Sequence, residues 1–313
     1  MAAEGEMATA GVLACLRKNH DRILAELVEF AAIPSVSTDP AHAVDMRTAA
    51  RWVADTLAAA GPFAVRTMDT PGNPVVYGEW LGAPGKLTVL VYGHYDVQPP
   101  EPLEKWRSPP FTPTQRDGRL YARGVSDDKG PMLIPLKVAE AFFAVAGALP
   151  INVKFMLEGE EEIGSRHLGA FIEQHKDMLA ADVVISADGA PWRLTEPSLT
   201  IASRGLAGLE LTLTGAAKDL HSGRHGGGVA NPLHAMARLI ATLHEPDGRV
   251  AVDGFYDRVI ELTPKERAAI AALPFDEATY LTQVGAPAGV GEPGYSTLER
   301  QWARPTLEVN GMW

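Results

Sequence analysis

The sequence predicts an α/β fold with a mostly parallel sheet, followed by a smaller α+β domain. Three observations carry that expectation. Strand-like runs alternate with helical periodicity as far as Pro197. Residues 87–92 (Leu-Thr-Val-Leu-Val-Tyr) are nearly all apolar and 182–187 read the same way, as strands covered on both faces do. Beyond Pro197, Leu209, Leu211 and Leu213 alternate with Glu210, Thr212 and Thr214, the pattern of a half-buried strand with one wet face.

The elements follow in order. Leu13, Leu16, His20, Ile23, Leu24, Leu27 and Phe30 share one helical face, and that helix stops at Ile33-Pro34 because the residue before proline avoids the α region. A second helix covers 46–60 and ends at Gly61-Pro62. Strands are expected at 64–68, 75–80 and 87–92, then a Pro- and Gly-rich loop over 98–124. Residues 131–145 read as a helix with proline near its start, where a missing N–H costs little. A strand at 151–157 leads to a helix capped by Ser165 and running to about Lys176, then to the strand at 182–187. A domain boundary falls near 196–200, separating 1–198 from 199–313. The second domain carries a helix at 229–243 and a Gly/Pro-rich loop at 285–294.

Composition narrows the function. Hydrophobic residues make up 46% and charged residues 21% of the 313, which supports a packed core and excludes wholesale disorder. With 28 basic against 39 acidic residues the net charge is −11, a poor match to nucleic acid and a better one to cations. A single cysteine, Cys15, excludes an internal disulfide framework and a cysteine-based zinc cluster, so a metal site must draw on His, Asp and Glu. Glu4 and Glu6 break the Ala-rich opening residues, and the expectation is a chain without a secretory signal or a membrane span, in the cytoplasm.

Four patches carry chemistry. Gly93-His94-Tyr95-Asp96 directly follows a buried strand, and ligands of open α/β sheets bind outside the carboxyl ends of strands. A neutral His94 can ligate a metal through one nitrogen, and Asp96 can orient a ligand or a base from behind. Arg123-Gly124-Val125-Ser126-Asp127-Asp128-Lys129-Gly130 places an aspartate pair where one carboxylate can bridge two cations. Glu158-Gly159-Glu160-Glu161-Glu162 follows the next strand, and carboxylates so crowded need a positive charge or solvent among them. Ser186-Ala187-Asp188-Gly189 ends the last strand. Each alone has a plainer reading: a hydrogen-bonded turn histidine, a capping aspartate, a solvated acidic face, a turn aspartate. Their placement at successive strand ends makes chance the weaker account of all four together, and Zn2+ or Mn2+ suits such N/O donors.

These runs closely resemble the M20 metallopeptidases. The runs that carry the resemblance are Tyr92-Gly93-His94-Tyr95-Asp96-Val97-Gln98-Pro99, the stretch 123–130, Glu160-Glu161-Glu162-Ile163-Gly164-Ser165 and Ser186-Ala187-Asp188. Asp219-Leu220-His221-Ser222-Gly223, the stretch 106–118 and the Gln98-Pro99 continuation resemble the cytosolic nonspecific dipeptidase and carnosinase-like branch. The likeness extends from Ile33-Pro34 to Arg304-Pro305.

The resemblance implies a catalytic domain over 1–198 with helices on both faces of its sheet, and a dimerisation or lid domain over 199–313, both incomplete here. It implies two divalent ions, Zn2+ or Mn2+: His94 and Asp188 on one, Asp127 bridging, Glu162 on the second. It further implies Glu161 as general base, Asp96 supporting the site, and His221 reaching into a partner subunit's site to steady the oxyanion of a small peptide substrate in a homodimer. Members of the family also carry a later histidine on the second metal, in a segment returning to the catalytic domain. This chain reaches Trp313 without a residue that matches it, and His20, His42, His167, His175, His225, His234 and His244 lie outside the matching positions. The expectation is therefore a truncated chain, weakened or inactive by itself, with apolar surface left uncovered. The alternatives are a related amidohydrolase (an N-acyl amino acid deacylase or carboxypeptidase) and a binding or dimerisation fragment without activity.

Overall fold

The computed structural model describes residues 2–312 apart from 187, 190, 191, 193–195 and 197. Ala187 and Pro197, which the predicted strand end and the change of pattern touch, lie outside the described residues. The chain divides into two compact units, Met1–Ser198 and Leu199–Trp313.

The first unit opens with two helices where the periodicity predicts one: α1 (Ala2–Lys18) and α2 (His20–Ala31). The break falls at Asn19, whose side-chain amide donates to the Cys15 carbonyl at 2.9 Å and so competes with the backbone ladder. Helix α3 (Ala43–Ala60) buries Met46, Ala49, Ala50, Val53 and Leu57 at helical spacing and stops at Gly61. The strands are β1 (Ala64–Met68), β2 (Val75–Trp80), β3 (Thr88–His94), a short hairpin of β4 (Thr114–Arg116) with β5 (Arg119–Tyr121), β6 (Asn152–Glu158) and β7 (Val183–Ser186). Helix α4 (Gly130–Ala146) precedes β6 and α5 (Leu168–Leu179) follows it. Helix α5 begins after His167 rather than at Ser165, because the Ser165 hydroxyl is occupied by Glu158 at 2.7 Å.

The main sheet has the order β1-β2-β6-β3-β7 and is mixed. Strands β6, β3 and β7 run parallel, while β1 and β2 run antiparallel at the other edge. Register aligns His94 with Glu158 and Tyr92 with Ser186, so the carboxyl ends of the three parallel strands reach the same edge. Side chains alternate between the two faces. Val76, Val91, Phe155 and Leu157 meet α3 and α4, whereas Val75, Tyr77, Leu90 and Met156 meet Phe171 and Leu179 of α5. Lys154 is buried in β6 because its amine donates to the carbonyls of Met178 (2.6 Å) and Ala180 (2.7 Å), closing the end of α5.

Two expectations differ from the structure. Strand β7 reads as buried but is exposed: Val183, Val184 and Ile185 are 44%, 63% and 46% accessible. It pairs with β3 on one side, and among the described residues no strand pairs with its other side. An apolar groove of about 420 Å³ lies beside it, lined by Val89, Val91, Ile134, Val138, Phe142 and Ile185. In the second unit, Leu209, Leu211 and Leu213 do not enter a strand; residues 199–215 carry none, and Leu209 is 94% exposed. An alternating run becomes a strand only against a neighbouring ladder and a covering layer, and the described residues supply neither.

The described secondary structure of this unit is helical: α6 (Ser222–His225), α7 (Pro232–Ala241), α8 (Pro264–Ala271), α9 (Glu277–Val284) and α10 (Thr297–Ala303), with one isolated bridge between His244 and Val250. Helices α8 and α10 both start at capping boxes, Thr263 with Glu266 and Ser296 with Glu299. Arg304 ties the unit together, its guanidinium over the Tyr295 ring and paired with Glu261 and Glu292 at 2.7 Å each.

Phe155 is fully buried between the sheet and α3, edge-on to Phe63 at 5.5 Å. Phe155→Ala is expected to cost about 3–5 kcal/mol. Val184→Thr on the exposed strand is expected to stay within about 0.5 kcal/mol. Urea unfolding of the two variants measures the difference.

Candidate metal centre

The site forms at the carboxyl ends of β3, β6 and β7. His94 closes β3 and is fully buried. Close packing against the Asp127–Asp128 turn and the start of α4 favours glycine just before His94, since a Cβ on Gly93 would meet Met132 Cγ at 2.8 Å and Asp128 Oδ2 at 2.9 Å. Gly124, at φ 81°, turns the chain into the tight segment Val125–Lys129 that carries both aspartates, with Asp127 in an extended backbone conformation.

The His94 Nε2 atom lies 3.1 Å from Asp127 Oδ1, 3.8 Å from Asp188 Oδ2 and 4.0 Å from Glu161 Oε2. On the other side of the ring, Nδ1 faces Asp96, 3.1 Å from its carbonyl and 3.3 Å from its carboxylate. Donor atoms of His94, Asp127 and Asp188 all fall within 4.8 Å of one another. Nitrogen and carboxylate oxygens converging at that distance, with the far ring nitrogen held by a carboxylate, fit a divalent cation.

Electrostatics point the same way. Burial pushes the His94 imidazole down, but Asp96, Asp128 and Glu161 outweigh it and carry the group up to about 10. The imidazolium thus supplies positive charge that the surrounding carboxylates require. Burial also raises Asp128 to about 7, against the amide of His94, which donates to its Oδ2 at 3.1 Å. Glu161 and Glu162 are both raised, first by burial and then by neighbouring carboxylates.

Asp96 links the sheet to the acidic turn. Its carboxylate accepts the amides of Glu161 (3.2 Å) and Glu162 (3.1 Å). The acidic run is thereby divided. Glu158 accepts from Tyr92 and Ser165, at 2.7 Å each, and Glu160 takes His167 Nδ1 at 2.8 Å. Glu161 faces His94. Glu162 lies outside the three-residue group, its carboxylate taken by Gln98. His221 belongs to the second unit, where it is exposed and caps α6, with Nδ1 accepting from the Gly223 amide at 3.0 Å.

Sequence reasoning misses Lys129. It is fully buried, its amine donates to the carbonyls of Phe30 (3.1 Å) and Ile33 (2.6 Å), and burial lowers it to about 7. It pins the aspartate turn to the end of α2. A lysine beside two aspartates reads as a surface ion pair, so no local signal reveals this. Gln98 and Glu160 are missed in the same way: Gln98 meets Glu162, 64 residues on, and Glu160 accepts the amide of Asn73, 87 residues back, besides the nearby His167.

A fold of this kind, with a His/Asp/Asp cluster gathered at its parallel strand ends and the turn before α4, has the arrangement of a divalent-cation site. The sequence model of peptidase family M20/M25/M40 matches residues 90–279. The Cys-Gly metallodipeptidase dug1 of Schizosaccharomyces pombe is 32% identical over 311 residues, covering 94% of this chain and 64% of that protein. The crystal structure of human carnosine dipeptidase 1 superposes with a TM-score of 0.80 at 29% identity, over 97% of this chain and 67% of that one. An M20 metallo-carboxypeptidase of Sulfolobus solfataricus gives 0.72 at 34% identity, over 92% and 65%. The chain belongs to the M20 family of metallopeptidases. It spans 64% of the S. pombe relative and 48% of the human Beta-Ala-His dipeptidase. Among the described residues, no helix is long and apolar enough to cross a membrane.

Two outcomes follow for cation binding. Asp96→Asn removes a carboxylate from His94 Nδ1 and faces an amide with further N–H donors, so affinity for Zn2+ is expected to fall about 10- to 100-fold in a chelator-competition titration. In the wild type the imidazolium must lose its proton to become a ligand. Its proton affinity is raised by Asp96, Asp128 and Glu161, so cation affinity is expected to rise about tenfold per pH unit between about pH 7 and 9, with one proton released per ion bound. Calorimetry in two buffers of different ionisation enthalpy counts that proton.

Proposed function

We propose that the protein hydrolyses the peptide bond of dipeptides with two divalent ions, Zn2+ or Mn2+. His94 and Asp188 would hold the first, Asp127 would be shared, and Glu162 would contribute to the second. The observation that carries the reading is the position of His94 Nε2, with the carboxylates of Asp127, Asp188 and Glu161 at 3.1, 3.8 and 4.0 Å. When bound, the ions supply an activated water and polarise the scissile carbonyl.

The chain's own groups do the rest. Glu161 accepts the nucleophile's proton and returns it to the leaving amine. Burial moves its carboxyl upward, towards the range in which a base holds a proton long enough to pass it on. Asp96 fixes Glu161 and Glu162 together through their amides, so base and ligand keep one spacing. His221 acts from a second copy of the chain. Since its Nδ1 accepts from the Gly223 amide, its proton sits on Nε2, free to donate to an oxyanion.

The likeness to the Sulfolobus metallo-carboxypeptidase supports a second reading, removal of a carboxy-terminal residue from longer peptides. A panel of dipeptides, longer peptides and N-acyl amino acids separates the two. Glu161→Gln is expected to lower kcat about 10²- to 10⁴-fold with metal content unchanged. His221→Ala and Glu161→Gln subunits, each inactive alone, are expected to regain activity when mixed. Failure of the mixture to recover would remove His221 from the site.

A further inference from the structure

We infer that Gln98 is a positioning residue that preorganises Glu162 for the second cation. The inference rests on the reading of Glu162 as a ligand given above. Both oxygens of the Glu162 carboxylate are held by Gln98: Oε1 accepts the Gln98 backbone amide at 3.1 Å, and Oε2 accepts the side-chain amide at 2.8 Å. The same side-chain nitrogen also reaches the Glu162 carbonyl at 3.2 Å, so one amide group ties down both ends of the residue.

The clamp is mounted on rigid chain. Val97, just before it, is fully buried, donates its amide to the Ser35 carbonyl at 2.9 Å and bridges to Val36. Asp96 accepts the Glu162 amide from the same segment. Residues 96–98 thus grip Glu162 by its main chain and by its side chain.

This arrangement suits a ligand about to be used. Each carboxylate oxygen accepts along two directions, and Gln98 takes one on each, leaving the others for a cation. An unclamped glutamate has three rotatable bonds to fix on binding, and its carboxylate faces the charge of Asp127 with nothing to hold it in place. Gln98 meets both costs before the ion arrives. His94, Asp127 and Asp188 already converge without it, so its effect falls on the second ion alone.

The test is Mn2+ titration of the intact protein by calorimetry, with electron paramagnetic resonance of the loaded samples. Gln98 is exposed, so Gln98→Leu keeps shape and fold while removing the side-chain donor. The wild type is expected to bind two ions and show a spin-coupled pair. Gln98→Leu is expected to bind the first ion with unchanged affinity and the second about 10-fold more weakly, since the backbone amide remains. Its spectrum at matched metal is expected to be that of an isolated ion. Glu162→Gln serves as the control. If the wild type binds one ion, or Glu162→Gln keeps both at full affinity, the two-ion reading fails and takes this inference with it. If Glu162→Gln loses the second ion while Gln98→Leu matches the wild type, or weakens both ions equally, the role of Gln98 alone is overturned.

Discussion

A histidine buried among carboxylates is the constraint on which the rest of this structure depends. His94 has no access to water, yet Asp96, Asp127, Asp128, Glu161 and Asp188 all act on it or lie within 4 Å. Such a group of acids cannot stay ionised together without a positive charge at its centre. The imidazolium supplies that charge, and a divalent cation that takes the place of its proton supplies a larger one. The site is thus built to bind a cation before any family likeness is considered.

The sheet makes that concentration of charge possible. Its parallel half brings three strand ends to one edge, and each end contributes an acid or the histidine. The core beneath them is apolar on both faces, with Phe155, Leu157 and Val91 on one side and Leu90 and Met156 on the other. Repulsion at the edge is therefore carried by a rigid platform, and buried polar groups there are matched one by one. Asp96 takes two amides, Lys129 takes two carbonyls, and Lys154 closes α5. Among the described residues, Asp128 Oδ1 and the nearby Arg123 Nε are buried without a hydrogen-bond partner, and for Asp128 this agrees with a carboxyl raised to about 7.

Much of this is legible in the sequence, for a physical reason. Strands 64–68 and 75–80 and the helices around 46–60 and 131–145 announce themselves through local periodicity, and the structure places them within a few residues of those limits. His94, Asp127 and Asp188 are legible because each follows directly on a strand or opens a helix, where side chains are free to converge. What is not legible depends on distant partners. The exposure of β7 and the unpaired run at 209–213 follow from which neighbours exist, and no local pattern encodes a neighbour. Lys129 looks like a surface residue until α2 is placed above it.

The acidic run shows how far a local reading goes and where it stops. As sequence, Glu158 to Glu162 is a block of charge whose simplest fate is a solvated face. In space the block is divided by chain direction. Glu158 ends the strand and turns towards Tyr92 and Ser165, while Glu160 turns towards His167. The turn at 161–163 then faces the next two carboxylates elsewhere, Glu161 to His94 and Glu162 to Gln98. Glu158 and Glu160, themselves buried, accept from half-buried donors and hold the turn, while Glu161 and Glu162 keep lone pairs available. Had all four faced the same way, mutual repulsion would have favoured protonation over metal. Dividing them lets a short stretch of chain both brace its own turn and present carboxylates beside the His94, Asp127 and Asp188 cluster.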